Sequence, residues 1–440
     1  MPTTVIAWVL VFATLSWLSF SRHPVWGLGC YLFVLYAAPT HHWYGAYIPN
    51  LRWSLLAALI TFISLWVNRN RVIMKKPWFS NGAAKILIAY TIWMWIQLPW
   101  ALSFEMHLDA TILFTKYIVL FCMIYTIVDS DARFYQFIIF NIIGGLYWGY
   151  LIKGYSVGGR VEKLGGPGIN DSNTLGMHLG VILIFAALLL LKKNTIFQNT
   201  FFWRLSQGTI CIAAVLMANG IVQTVSRSAA VGVVAAGMVL FLLNHKAFRK
   251  KFVIYAMVAI AGLVYFTPDK FWGRMDTVTT AIQVETEEIE GSAYSRIVIA
   301  SAQWEMFKAN VMGHGHRGTS VLSSYYLPQE YLTAIPGRPG QYGRSSHNTF
   351  LTTLVEQGIP GAILYLLLAV WGIRIILSFN KEDITIYLYV MMMAAGLTAI
   401  FVSGIFVDYL KVEVQIFCLA MLASLKEYER IKKEQSICAE

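Results

Sequence analysis

At 440 residues, with 57% hydrophobic and only 13% charged, the chain is more apolar and far less charged than a soluble domain, where about 25% charged residues are usual. Its formal charge of +11 sits mostly in short breaks between apolar runs, so it offers no soluble basic face for nucleic acid. Of the five cysteines, Cys30, Cys122, Cys211 and Cys418 lie inside apolar runs and Cys438 near the end, a pattern of neither a disulfide framework nor a zinc site.

Runs of roughly 15–20 apolar residues, enough to cross a hydrocarbon core of about 30 Å, are expected at 4–20, 24–39, 52–67, 84–101, 110–128, 134–152, 174–191, 207–224, 229–244, 252–267, 360–379, 384–403 and 409–425. The chain therefore reads as an all-α polytopic membrane protein with 12 or 13 transmembrane helices. Only Ser21, Arg22 and His23 separate the first two runs, so the first reads as an anchor or as half of a hairpin. No small-residue cleavage site follows residue 20, which argues against a removed signal peptide.

Lys and Arg accumulate in cytoplasmic loops. The breaks with Arg69, Arg71, Lys75 and Lys76, with Lys192, Lys193 and Arg204, with Lys246, Arg249, Lys250 and Lys251, and the tail with Lys426, Arg430, Lys432 and Lys433 define that side. The expected organisation is membrane helices over 1–267 with an outer loop near 153–173, an extracytoplasmic cap over 268–359, further membrane helices over 360–425 and a cytoplasmic tail over 426–440.

The cap loop begins with an acidic patch (Glu285, Glu287, Glu288, Glu290) and continues into a helical stretch from about Tyr294 to Asn310. Ile297, Ala300, Trp304 and Phe307 recur there at three- and four-residue spacing, an apolar face suited to the membrane surface. A turn, GHGHRG (Gly313 to Gly318), reads as water-exposed, and Pro336 to Gly340 cannot be regular helix. Next comes HNTFLTTLVEQGIPG, His347 to Gly361. His347 to Gln357 can make three helical turns ended by Gly358, with Pro360 in the first turn of a membrane helix. His347, Leu351 and Leu354 share one face of the first segment, the face expected toward the membrane.

Arginines on the expected outer face (Arg160, Arg227, Arg274, Arg296, Arg317, Arg338, Arg344) run against the positive-inside rule. A guanidinium is a planar fork of donors matched to phosphate oxygens, so a group of them points to an anionic ligand such as a diphosphate; the plainer alternative is snorkelling or pairing with acidic neighbours. In SRSAAVG, Ser226, Arg227 and Ser228 start an apolar helix, whose free N–H groups favour phosphate. Arg160 lies in a glycine-rich stretch before Asn170, Asp171 and Asn173, where a helix cap explains the polar residues equally well. An imidazole can accept a proton from a hydroxyl, and Asn348 and the arginines favour that use of His347 over a structural one. His314, His316 and His347 have no carboxylate or cysteine next to them in sequence, and no metal is expected. No nucleotide-binding glycine loop, HExxH or GxSxG motif occurs.

With these residues assembled, the chain resembles the O-antigen ligase and O-antigen polymerase superfamily of bacterial envelopes. The family pattern of His, then Asn, Ser or Gln, nine residues, Gly, two residues, and Gly, Thr or Tyr is met by His347, Asn348, Gly358 and Gly361. SAYSRIVIASAQWEMFKANVMGHGHRG and SRSAAVG look like the family's loop and helix signatures, and the similarity extends over roughly 155–425. RHPVWGLGCYLFVLYAAPTHHWYGAY, nearer the N-terminus, resembles the branch of exosortase-associated O-glycosylation ligases.

The resemblance implies a GT-C-like, inverting glycosyltransferase without metal or other cofactor, in the bacterial inner membrane with its active site toward the periplasm. Its donor would be a glycan on undecaprenyl diphosphate and its acceptor the lipid A-core oligosaccharide. The family's histidine and arginines carry over onto His347, Arg227 and Arg296, with Arg160 matching less tightly. Asn348, Ser226 and Arg317 are expected to support them. A polymerase using a second lipid-linked glycan, or a protein O-oligosaccharyltransferase, would use the same donor chemistry. A transporter would instead show charged or broken helices near the midplane.

Overall fold

A computed structural model of the chain describes residues 2–153, 161, 164–166, 168–169, 171–243, 245–246, 249–251, 253–254, 257, 291–334, 342–344 and 346–438. Helices α1 (Thr3–Ser21), α2 (Val25–Tyr36), α3 (Trp53–Val67), α4 (Gly82–Gln97), α5 (Phe104–Ile127), α6 (Asp131–Lys153), α7 (Ser172–Leu189), α8 (Thr200–Thr224) and α9 (Arg227–Leu243) come first. After them come α10 (Gly291–Ala309), α11 (Gly318–Tyr326), α12 (Thr349–Leu377), α13 (Ile384–Ser403) and α14 (Glu413–Ile437). A two-residue antiparallel ladder, β1 (Thr333–Ala334) with β2 (Tyr342–Gly343), pairs Thr333 with Gly343 and Ala334 with Tyr342.

Among the described residues, seven helices are long and apolar enough to cross a membrane: α1, α5, α6, α7, α8, α12 and α13. Helices α3 and α9 are apolar but shorter. The protein is thus a mostly helical, multi-pass membrane protein, as expected where a bilayer offers backbone groups no water. The run expected at 252–267 lies almost entirely outside the described residues, as do the acidic patch, Arg160, Arg274 and Arg338. Trp8 Nε1 donates to Ala37 O at 2.8 Å, which makes α1 and α2 an antiparallel hairpin. The last apolar run, expected at 409–425, begins as helix only at Glu413 and continues through the charged tail to Ile437.

The basic breaks meet at one end of the bundle. Arg71 Nη1 donates to Ser21 O and Arg22 O at 2.7 and 2.8 Å. Lys75 Nζ donates to Tyr125 O, Val128 O and Ser424 Oγ at 2.6–2.7 Å, a cation on the carbonyl end of α5 where the helix dipole favours it. Lys192 pairs with Asp131 at 2.9 Å, and Tyr389 donates to the same carboxylate at 2.8 Å. The opposite end carries α10 and α11 and forms the cap face.

Helices α7 and α13 are the most enclosed of the seven. Hydrocarbon offers little drive for one apolar helix to prefer another, so close approach depends on small residues. A Cβ at Gly232 of α9 would lie 2.0 Å from Ser403 Oγ and 2.7 Å from Ala399 O of α13, so Gly232 lets these two helices touch.

Helix α12 is one helix with a break, placed where the sequence puts it. Gly358 has φ 65° and ψ −167°, outside helical space, and Pro360 follows. Pro360 has no N–H, so Glu356 O loses its helical donor. The cap loop and α4 supply substitutes: His314 N donates to Val355 O and Gly315 N to Glu356 O, both at 2.9 Å, while Gln97 Nε2 donates to Glu356 O at 3.3 Å and Trp93 Nε1 to Gln357 O at 2.7 Å. In return Ile359 N donates to Val311 O at 2.9 Å. Backbone meets backbone here: a Cβ on Gly358 would stand 2.3 Å from Met312 C and 2.5 Å from Val311 O.

Before the break, the first segment of α12 is polar inward. Thr349, Thr352, Thr353, Glu356 and Gln357 are buried, whereas Leu351 and Leu354 are half-exposed. Helix α10 matches the expected Tyr294–Asn310 stretch and leaves Ile297 and Trp304 of the apolar stripe exposed. A second apolar face, Ile299, Ala302 and Met306, packs with Leu327 and Val355.

Replacing Gly358 with Ala forces a Cβ into the loop backbone and strains a left-handed residue, at a cost of roughly 1–3 kcal/mol. The expected result is a lower midpoint in thermal unfolding followed with a thiol-reactive dye, which the buried Cys30 and Cys418 admit only on opening. A midpoint equal to wild type would contradict this account of the helix break.

Candidate functional site

The site grows from the first residues of α12. Asn348 is the N-cap, its Oδ1 accepting from Phe350 N at 2.9 Å and Leu351 N at 3.0 Å, two of the donors a helix start leaves open. On its other side, Ser346 Oγ accepts from Asn348 N at 3.1 Å and from Gln303 Nε2 of α10 at 2.7 Å. Half-buried His347 therefore stands between a residue tied to α10 and a residue that caps α12.

Thr349 ties the same start to the turn between α13 and α14. Its N–H donates to Gly404 O at 2.7 Å and its hydroxyl to Val407 O at 2.9 Å, while that hydroxyl accepts from Tyr409 N at 2.8 Å. Tyr409 then carries the network to α9 and α7: its hydroxyl donates to Asn173 O at 3.0 Å and lies 3.2 Å from Ser228 Oγ. Ser226 Oγ donates to Asn173 Oδ1 at 3.0 Å, and Asp171 caps α7 by accepting from Asn173 N at 2.9 Å. Half-buried Arg227 lies between two buried serines of this network.

The chain neighbours of His347 and Arg227, namely Asn348–Thr349 and Ser226 with Ser228, are thus linked by one hydrogen-bonded chain across α7, α9, α12 and the 404–412 turn. Arg296 is half-buried on α10. It lies seven residues before Gln303, hence on the same helix face and about 10 Å along the axis. Arg317 is exposed at the N-cap of α11, and Arg344 donates its backbone N–H to Ser323 Oγ at 2.7 Å. Arg160 lies outside the described residues.

A second cluster lies where the GHGHRG turn docks. The sequence reads this turn as water-exposed, and the structure corrects that: His314 and His316 are buried because the turn fills the break of α12. His314 Nε2 lies 2.9 Å from Met306 O. His316 Nδ1 and Glu356 Oε2 are 2.9 Å apart, an ionic contact rather than a well-aligned hydrogen bond, and His316 Nε2 lies 2.7 Å from Lys411 Nζ. An ammonium only donates, so Nε2 accepts and the proton sits on Nδ1, toward the carboxylate. His107 Nδ1 accepts from His316 N at 2.7 Å. Both ring nitrogens of His316 and the Nε2 of His314 are thus occupied within this cluster.

The 404–412 turn thus touches the motif at Thr349 and the cluster through Lys411. Burial, then the charge of Glu356, pushes the Asp408 carboxyl above the ordinary carboxylate range. Burial, then the Arg317 guanidinium, lowers the Lys411 ammonium, with Asp408 and Glu356 opposing the shift. Val225 (φ 48°) and Arg317 (φ 66°) are the non-glycine residues with left-handed backbone among those described, and both flank these clusters. For a β-branched residue such as Val225, this conformation marks a constrained place in the fold.

Sequence reasoning missed Glu356, His316, Lys411, Thr349 and Tyr409 as members of the site. A carboxylate and a glutamine within an otherwise apolar stretch, one turn before a Gly-x-Pro break, were the available signal for Glu356.

Residues 212–366 match the family described as O-antigen ligase. Over that stretch the chain is similar to the O-antigen ligase family. None of the curated proteins matches the chain. The O-antigen ligase match includes Ser226, Arg227, Arg296, Arg317, His347, Asn348, Gly358 and Gly361, and ends inside α12. Tyr409, which donates to Thr349, and Lys411, which meets His316, lie beyond it.

Asn348→Ala removes the cap and is expected to cost about 0.5–2 kcal/mol, whereas Asn348→Ser keeps an acceptor and costs less. Tyr409→Phe deletes a buried hydroxyl that bonds Asn173 O and lies beside Ser228 Oγ, and is expected to cost roughly 1–3 kcal/mol. Dye-monitored melting of the three variants checks this order; a Tyr409→Phe protein as stable as wild type would remove Tyr409 from the framework of the site.

Proposed function

We propose that the protein transfers a glycan from an undecaprenyl-diphosphate carrier to the lipid A-core oligosaccharide, at the periplasmic face of the bacterial inner membrane. The coarser statement, an O-antigen ligase or polymerase type of function in a multi-pass membrane protein, follows from the family match and the apolar helices. The observation that carries the finer reading is the hydrogen-bonded framework around His347. The residues flanking His347 in the chain are fixed by α10 and by the 404–412 turn, and the same turn fixes the helix start bearing Arg227.

In this reading the donor's polyprenyl tail lies among membrane helices and its diphosphate meets Arg227, Arg296 and Arg160. His347 takes the proton of an acceptor sugar hydroxyl. The oxygen attacks the anomeric carbon from the side opposite the diphosphate, the bond to the diphosphate oxygen breaks, and the configuration inverts. Negative charge grows on the departing undecaprenyl diphosphate, where guanidinium forks and the N-terminus of α9 stabilise it. Diphosphate is a good leaving group, so the residues named suffice without a general acid or a metal. The expected fold is GT-C-like with about 12 spans and residues 268–359 as a periplasmic cap.

A polymerase or a protein O-oligosaccharyltransferase would share this donor chemistry and differ in what meets His347. Incubating purified protein with the lipid-linked glycan and, separately, lipid A-core, a peptide or no added acceptor distinguishes the three by product. His347→Ala is expected to lower transfer by about 10²–10⁴-fold, the usual worth of a positioned base, while the protein stays folded. Arg227→Lys is expected to be severely impaired, because a point charge does not replace a fork. Near-normal transfer by His347→Ala would refute the general-base role. Chelator treatment tests the metal-free step separately: loss of turnover restored by a divalent ion would contradict it.

A further inference from the structure

The cluster behind the motif is arranged around a carboxylate that the mechanism above does not use. Glu356 is buried and holds the turn at two points: its backbone oxygen accepts from Gly315 N and its carboxylate meets His316 Nδ1. Arg317, next in the turn, has a left-handed conformation that a non-glycine residue adopts at a cost. The carboxylate contact orients the His316 ring so that Nε2 receives Lys411 Nζ at 2.7 Å. The result is two cations near each other on the cap face, Arg317 exposed and Lys411 half-buried.

An ammonium has three N–H donors. Among the described residues, Lys411 gives one to His316; the Arg317 guanidinium repels it while the Asp408 and Glu356 carboxylates attract it. The remaining donors of Lys411 and the exposed Arg317 guanidinium are the groups here that an anion bound at this end of the bundle can engage. The same turn carries Tyr409, whose hydroxyl reaches Ser228 beside Arg227, and Val407, which holds Thr349 two residues after His347. Lys411 therefore lies on the same turn whose Val407 and Tyr409 hold Thr349 and reach Ser228.

We propose, on the basis of the transfer reading above, that Lys411 and Arg317 contact the diphosphate of the lipid donor, and that the buried Glu356–His316 pair positions the Lys411 ammonium for that contact. Lys411 adds a point charge that follows a phosphate as its charge grows, beside guanidinium forks that fix orientation.

The test is binding of undecaprenyl diphosphate, without any sugar, to the full-length protein in lipid nanodiscs, with undecaprenol as the uncharged comparison. Lys411→Met is expected to weaken diphosphate binding by roughly tenfold or more and to leave undecaprenol binding unchanged. Lys411→Arg should restore part of the loss. Glu356→Gln, which leaves both cations in the chain, should weaken diphosphate binding by a smaller factor and raise the donor KM more than it lowers kcat. If wild type binds undecaprenyl diphosphate and Lys411→Met binds it within twofold, the inference fails while the transfer reading stands. If wild type does not distinguish the diphosphate from undecaprenol, the transfer reading itself fails. Equal loss of both lipids in Lys411→Met, with no rescue by Lys411→Arg, would make Lys411 a packing residue and overturn the proposal.

Discussion

The hydrogen-bond demand created where α12 breaks is the constraint on which the rest of the cap face depends. Gly358 leaves helical space and Pro360 has no N–H, so three consecutive carbonyls, those of Val355, Glu356 and Gln357, need donors from elsewhere. Near a bilayer, water cannot be relied on to supply them, and an unmet carbonyl costs several kcal/mol. The 311–315 loop and the indole and amide of Trp93 and Gln97 meet the demand. A break in one membrane helix thereby becomes the docking point for the whole described part of the cap, and α10 and α11 follow from where that loop is held.

Two consequences meet in the 404–412 turn. The cap brings Gln303 to Ser346 and so sets the approach to His347, while the turn takes hold of Thr349 immediately after it. At its far end the turn offers Lys411 to His316, which the docked loop has already fixed against Glu356. Irregular backbone in a membrane protein is tolerated where protein buries it or a cavity solvates it, and such places are commonly functional. Here the left-handed residues Val225 and Arg317 and the buried polar face of α12 concentrate at one end of the bundle. The opposite end is held by lysine caps and ion pairs such as Lys75 on α5 and Lys192 on Asp131, which are ordinary ways to close helix ends.

Much of this was legible in the residues. Apolar runs located the helices because lipid-facing and buried positions both select hydrophobic side chains, and the basic breaks gathered at one end as their bias toward a single side requires. Gly358 and Pro360 marked the break because few other residues tolerate those backbone positions. What could not be read was which long-range partner answers each exposed backbone group. His316 looked like a solvated turn residue because nothing local shows that its turn fills a gap 40 residues further on. Lys411 sat at the edge of an apolar run, and its position depends on the precise start of α14. Leu351 and Leu354, expected on a membrane-facing side, are half-exposed, and the polarity of the opposite, buried side of that short segment is what the apolar spacing did not reveal.

The family match ends at residue 366, inside α12, yet the residues that clamp its histidine motif come 40 positions later. Thr349 is a member of the matched stretch whose backbone and hydroxyl are both satisfied from outside it. Without the 404–412 turn, the Thr349 N–H and hydroxyl would lose their partners, Asn348 would cap an unsupported helix start, and Ser228 would lose its contact with Tyr409. The matched stretch therefore contains the residues proposed to act in transfer, and the turn between α13 and α14 supplies contacts that fix their neighbours. A site divided in this way couples the histidine to the helix start bearing Arg227 through a few short hydrogen bonds. In the transfer proposed above, those bonds would keep His347 and Arg227 in fixed register, which a reaction between two bulky lipid-anchored substrates needs more than it needs additional reactive groups.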